Sequence, residues 1–100
     1  MRERLCRQVV VRGRVQGVYF RAFVEREALK AGIEGWVRNR RDGSVEALFA
    51  GPTEKVQAIM AACRRGPSAA RVDALDERAA TEAEFALRLP GDMFSVLPDA

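Results

Sequence analysis

Gly13-Arg14-Val15-Gln16-Gly17-Val18-Tyr19-Phe20-Arg21 leaves the apolar run Val9-Val10-Val11 and enters a segment with helical periodicity. The order is strand, glycine-containing loop, helix start. Gly13 and Gly17 bracket a stretch whose backbone N–H groups, from Val15, Gln16, Gly17, Val18, Tyr19 and Phe20, can curl toward one point, and the unpaired N–H groups of a first helical turn add to the same positive pole. The segment reads as an anion cradle. Arg21 at its far end offers a planar donor fork suited to two oxygens of one phosphate. Loop shape alone is weak support, because glycine-bearing strand-to-helix turns are common and most bind nothing.

Outward from this segment, the first strand spans about Arg7 to Arg12 and the first helix about Arg21 to Ala31, with Phe20, Val24, Ala28 and Ala31 on one stripe. Gly32 stops that helix as a left-handed cap. Ile33 to Arg40 and Ser44 to Ala50 are two short runs separated by Arg41-Asp42-Gly43, whose Asp-Gly pair signals a hairpin. Gly51-Pro52 sets the start of a second helix, in which Val56, Ile59, Met60 and Cys63 recur at helical spacing, and Gly66-Pro67 ends it. Arg71 to Asp76 makes a fourth strand. Phe85, Leu87 and Leu89, alternating with Glu84, Ala86 and Arg88, predict a half-buried closing strand.

The order β-α-β-β-α-β is the α+β, ferredoxin-like pattern, an antiparallel sheet with both helices on one face. A right-handed crossover makes the first two strands parallel with the third between them, so their C-terminal ends share one sheet edge. The loop after Arg12 and residue Asn39 then lie at that edge, about two strand spacings or roughly 10 Å apart at the backbone. Alternation puts Asn39 on the face of Ile33 and Val37, and Trp36 on the other.

Two blocks carry a family resemblance. Gly13 to Arg21 matches without a gap the signature G-x-V-Q-G-V-x-F-R of the acylphosphatases, and Gly35-Trp36-Val37-Arg38-Asn39 with Asp42-Gly43-Ser44-Val45 resembles the family's G-W-V-x-N-x-x-D-G-x-V. Gly51-Pro52, Lys55-Val56 and Gly66-Pro67 extend the similarity, which runs from about Val9 to Leu89. The resemblance implies hydrolysis of small acyl phosphates to carboxylate and inorganic phosphate. It makes Arg21 the phosphate-binding arginine and Asn39 the residue that positions water, with no cofactor and no metal.

Each role competes with a plainer one. Arg21 could be an exposed arginine at a helix start, although a cation there is disfavoured by the helix dipole unless an anion is near. Asn39 could merely open the hairpin turn, whose backbone geometry asparagine tolerates. Tyr19 reads as a rim residue, Phe20 as a core anchor, and Cys63 as part of the apolar stripe.

Composition narrows the chemistry. The chain has 100 residues and 48% hydrophobic content, enough for one domain without staples. The expected organisation is a core at about 7–89 followed by a C-terminal extension, 90–100. Histidine is absent, which removes the usual general base, the Ser-His and Cys-His nucleophile systems and the commonest zinc ligand. The net charge of +3 favours anionic partners, yet 17 basic and 14 acidic residues are interspersed and no basic tail stands out. No apolar stretch is long enough to span a bilayer. Cys6 and Cys63, with no secretory leader before them, suit reduced thiols in the cytoplasm, a disulfide being the alternative.

The expectation is therefore a cytoplasmic monomer acting on a small acyl phosphate, without nucleic acid or membrane. The rival is a non-catalytic ferredoxin-like RNA-binding module, which shares the element order and the basic charge but whose aromatic signature is missing here. Pro90-Gly91 and Pro98 argue against regular structure in the tail, although Met93, Phe94, Val96 and Leu97 have the character to lie against the sheet.

Overall fold

A computed structural model describes residues 3–100 of the chain. β1 (Arg4–Arg14) leads into α1 (Phe20–Ala31), β2 (Glu34–Asn39), β3 (Val45–Pro52), α2 (Thr53–Arg65), β4 (Arg71–Ala79), a single turn α3 (Glu82–Phe85) and β5 (Phe94–Val96). The five-stranded sheet has the order β4-β1-β3-β2-β5. β3 is antiparallel to both β1 and β2, as a right-handed crossover requires, and β5 joins β2 in parallel.

The helices share one face. Val9 and Val11 of β1, Val37 of β2, and Val45, Ala47 and Phe49 of β3 meet Phe20, Val24 and Ala28 of α1 and Val56, Ile59, Met60 and Cys63 of α2 in one buried cluster. The spacing of these residues is why the two segments are helices. The alternation in the strands decides which face they cover. Gly32 ends α1 in the left-handed conformation, φ 71°, with its N–H returned to the last helical carbonyls. Burial raises the Cys63 thiol to about 12.

The opposite face is not bare. Trp36 and Leu48 are buried there against Leu97, with Cys6, Ala80 and Phe85 packed beside them, and the Trp36 indole N–H donates to the Glu84 carbonyl at 2.8 Å. Beyond this patch Glu46 accepts from Gln8 at 2.7 Å and from Arg38 at 2.8 Å, while the Arg38 guanidinium lies 4.8 Å over the Trp36 ring. Cys6 and Cys63 therefore sit on opposite faces as free thiols, and the disulfide alternative is ruled out in this fold.

The predicted closing strand is corrected. Phe85, Leu87 and Leu89 are not in a strand: Thr81 caps α3 by accepting from the Glu84 N–H, and the Glu84 carboxylate accepts from the Thr81 N–H. That reciprocal box starts a helical turn where alternation alone predicted extension. The closing strand is β5, inside the segment expected to be an extension. Phe94 enters the main core, stacked on Phe49 at 6.0 Å, and Leu97 closes the opposite patch.

Candidate active site

The loop after β1 and the end of β2 meet at one sheet edge, around an open cleft of about 530 Å³ lined in part by Gly17, Tyr19, Arg21 and Asn39. The loop is anchored from below: Val15, Val18 and Phe20 are buried in the core. Between these anchors Gly17 (φ 73°) and Tyr19 (φ 61°) adopt left-handed backbone around Val18. Such alternation turns successive N–H groups toward one side. Among the described residues, no N–H group of residues 15–19 is engaged in a turn or loop backbone bond, and the first turn of α1 has neither a side-chain cap nor an acidic residue. The donors at this edge are thus directed to the cleft or to solvent.

Gly13 has a different job from the one its position in the motif suggests. It lies within β1 at a register shift against β4, and a Cβ there would sit 2.2 Å from the Arg71 carbonyl oxygen. Its missing side chain admits the neighbouring strand; only Gly17 shapes the cradle itself.

The Gln16 side chain has a role that the motif does not announce. Its amide donates to the carbonyls of Arg40 at 2.7 Å and Ser44 at 2.9 Å, strapping the loop to the β2–β3 turn. That turn is stiffened by Asp42, which accepts from the Ser44 N–H at 2.9 Å and its hydroxyl at 2.6 Å. Those bonds, with help from nearby arginines, hold the Asp42 carboxyl down to about 2.

Asn39, the last residue of β2, is 8% exposed and lines the cleft. Its side-chain amide makes no hydrogen bond to a described residue. A nearly buried amide in the lining of a cleft, without a protein partner, can hold water or a ligand oxygen. Arg21, on the first turn of α1, faces the same cleft, and its Nη1 lies 3.6 Å from Asp99 Oδ1 in the tail. The carboxylate eases the mismatch of a cation at a helix N-terminus. Tyr19 stands on the rim, 84% exposed, and Phe20 is a core anchor.

The structure thus brings Arg21, Asn39 and the loop from Val15 to Phe20 to one place. It adds Gln16 as a strut, with Glu25, Val96 and Asp99 at the margins. No motif pointed to those last three; they arrive from a second helical turn and from the tail.

Comparison with known proteins gives the same direction. The acylphosphatase family profile matches residues 7–88. The chain is 64% identical over 94 residues to an acylphosphatase of Rhodopseudomonas palustris strain BisB18, covering 94% of this chain and 95% of that protein. It is 61% identical over 95 residues to an acylphosphatase of Nitrobacter hamburgensis, with the same coverage. The crystal structure of acylphosphatase from Bacillus subtilis superposes with a TM-score of 0.79 at 36% identity, covering 92% of this chain and 97% of that one.

Proposed function

The chain belongs to the acylphosphatase family, and from that membership we propose how its residues divide the work of hydrolysing the carboxyl–phosphate bond of small acyl phosphates. The enzyme is an acylphosphatase. Backbone N–H groups from Val15 to Phe20 and the Arg21 guanidinium hold the phosphoryl oxygens, and Asn39 orients a water opposite the leaving group. The water oxygen bonds to phosphorus as the phosphorus–acyl oxygen bond breaks. The electron pair leaves on the carboxylate, and the water's protons pass to phosphate and solvent.

The lack of histidine fits this division. A loose phosphoryl-transfer transition state requires little proton removal from the attacking water, and a carboxylate of low pKa leaves without an acid. Positioning and charge stabilisation carry the reaction, and no step here is assigned to a metal. One observation carries the reading above the others: the free Asn39 amide and the uncapped, N–H-rich loop ending in Arg21 face one cleft.

The proposal extends to one domain acting as a monomer in the cytoplasm, where free Cys6 and Cys63 suit a reducing medium. Among the described residues no helix is long and apolar enough to cross a membrane. RNA binding is not part of the reading. The sheet face that a platform binder would present is covered around Trp36 by Phe85 and Leu97, and the relatives above are acylphosphatases.

Phosphate, as a stand-in for the transferring group, tests the cradle without turnover. At ten times its dissociation constant it adds about 1.4 kcal/mol of stability, or about 5 to 10 °C in midpoint for this chain length. Arg21→Ala at matched ionic strength is expected to lose the saturable part and keep any general salt effect. An identical saturating shift in both proteins would place the anion site elsewhere.

A further inference from the structure

We propose that the acyl side of the cleft is shaped for uncharged, apolar acyl groups and turns away those carrying a second carboxylate; this rests on the placement of the phosphoryl group at Arg21 and the loop. With the phosphoryl group there, the acyl portion must leave along the remaining wall. That wall is apolar at Tyr19, Ala22 and Val96. Tyr19 projects from the rim, 84% exposed, on a left-handed backbone that non-glycine residues rarely adopt. Val96 of β5 is 38% exposed and lines the same cleft. Tyr19, Ala22 and Glu25 follow at three-residue spacing, so they form one face at the start of α1.

The charges along this wall have one sign. Among the described residues lining the cleft, Arg21 is the one cation and it is engaged by the phosphoryl group, while Glu25 contributes a carboxylate. A second carboxylate, Asp99 of the tail, stands beside the cleft against the Arg21 guanidinium. Leu97 donates to the Val37 carbonyl at 2.9 Å and Ala100 to the Asn39 carbonyl at 3.0 Å, so three steps along the tail oppose two along β2. The extra residue is taken up by a bow at Pro98-Asp99, just past the end of β5. There Asp99 Oδ1 lies 3.6 Å from Arg21 Nη1, and the Arg41 N–H pins the end of the bow by donating to the Ala100 oxygen at 2.7 Å. Asp99 is therefore held between two backbone bonds to β2, one at Leu97 and one at Ala100. An acyl group bearing a carboxylate meets Glu25 and Asp99 with no unengaged cation in the cleft lining, a repulsive element of the kind that sets specificity.

The test compares 4-methylbenzoyl phosphate with 4-carboxybenzoyl phosphate, which are close in size and differ in charge far from the reacting bond. Wild-type kcat/KM is expected to favour the methyl compound by about tenfold or more at low salt, and the preference should narrow as ionic strength rises. In the double variant Glu25→Gln with Asp99→Asn the ratio should shift toward the carboxylate compound by about fivefold or more, the methyl compound serving as the internal reference for folded enzyme. Tyr19→Ala should lower the ratio of benzoyl to acetyl phosphate hydrolysis by about fivefold. Equal wild-type rates for the two benzoyl compounds, or a ratio unmoved by the double variant, would overturn the proposal while leaving the acylphosphatase reading intact. Failure to hydrolyse either compound would overturn that reading itself.

Discussion

Gly35→Ala tests why the second motif begins with glycine. Gly35 lies in β2 with φ 147°, paired with Phe49, and a Cβ built there would sit 1.8 Å from the Leu48 carbonyl oxygen and 2.8 Å from its carbon. A carbon–oxygen contact needs about 3.3 Å, so β2 and β3 would have to part by about 1.5 Å against a ladder spacing of about 4.8 Å. Moving that far breaks ladder bonds between strands that carry Trp36, Val37, Leu48 and Phe49, all fully buried. Overpacking against backbone together with the strained φ costs about 3 to 5 kcal/mol. For 100 residues the midpoint should drop by about 15 to 30 °C in thermal unfolding followed by circular dichroism. The matched control is Gly32→Ala, at φ 71° with nothing within 4 Å of the added carbon. It meets the backbone strain alone, about 1 to 2 kcal/mol. If Gly35→Ala unfolds at the same temperature as Gly32→Ala, the close approach of Leu48 is not what requires the glycine.

Thr81→Ala removes the capping box of α3 and should cost about 1 kcal/mol, with a red shift of Trp36 fluorescence because the indole N–H is held by the Glu84 carbonyl; unchanged emission would mean that α3 holds without its cap. The Asp42 carboxyl sits at about 2 in the folded chain against 3.8 ordinarily, held down first by the Ser44 hydroxyl and then by the Ser44 N–H. Because the folded value is depressed, its stabilisation is present above the ordinary value and is lost as pH falls from about 4 through about 2. The Ser44 amide resonance should follow that titration, and a midpoint near the ordinary value would contradict the turn geometry.

Much of the fold is legible because its signals are local. The Val9-Val10-Val11 run, Gly32 after an apolar stripe and Asp42-Gly43 between two short runs each mark an element within a few residues. Parity then carries Asn39 to the face of Val37 and Trp36 to the other. The closing strand escapes this kind of reading. Phe85, Leu87 and Leu89 alternate over too few residues to outweigh Thr81-x-x-Glu84, which is a helix-start signal. β5 is only three residues long and exists because β2 offers it a parallel edge, information absent from Phe94-Ser95-Val96 itself.

The site divides in the same way. Arg21, Asn39 and the loop between Val15 and Phe20 stand out because motif and topology agree. The Gln16 strut and the Asp99 contact depend on segments far apart in sequence, so only the folded chain brings them together. Gly13 is legible as necessary and misleading about its purpose: sequence shows that a side chain is unwelcome, and the structure shows that the neighbour refusing it is β4.

The division of labour between Arg21 and Asn39 is tested most directly by steady-state hydrolysis of benzoyl phosphate. Arg21→Ala should lose about a hundredfold or more in kcat/KM, with most of that loss persisting in Arg21→Lys because a point charge does not replace the donor fork. Asn39→Ala should lower kcat by about a hundredfold while the inhibition constant of inorganic phosphate stays within a few-fold, since it orients water and does not grip the phosphoryl group. Near-normal turnover in folded Arg21→Ala, or an Asn39→Ala enzyme with raised KM and unchanged kcat, would contradict the account.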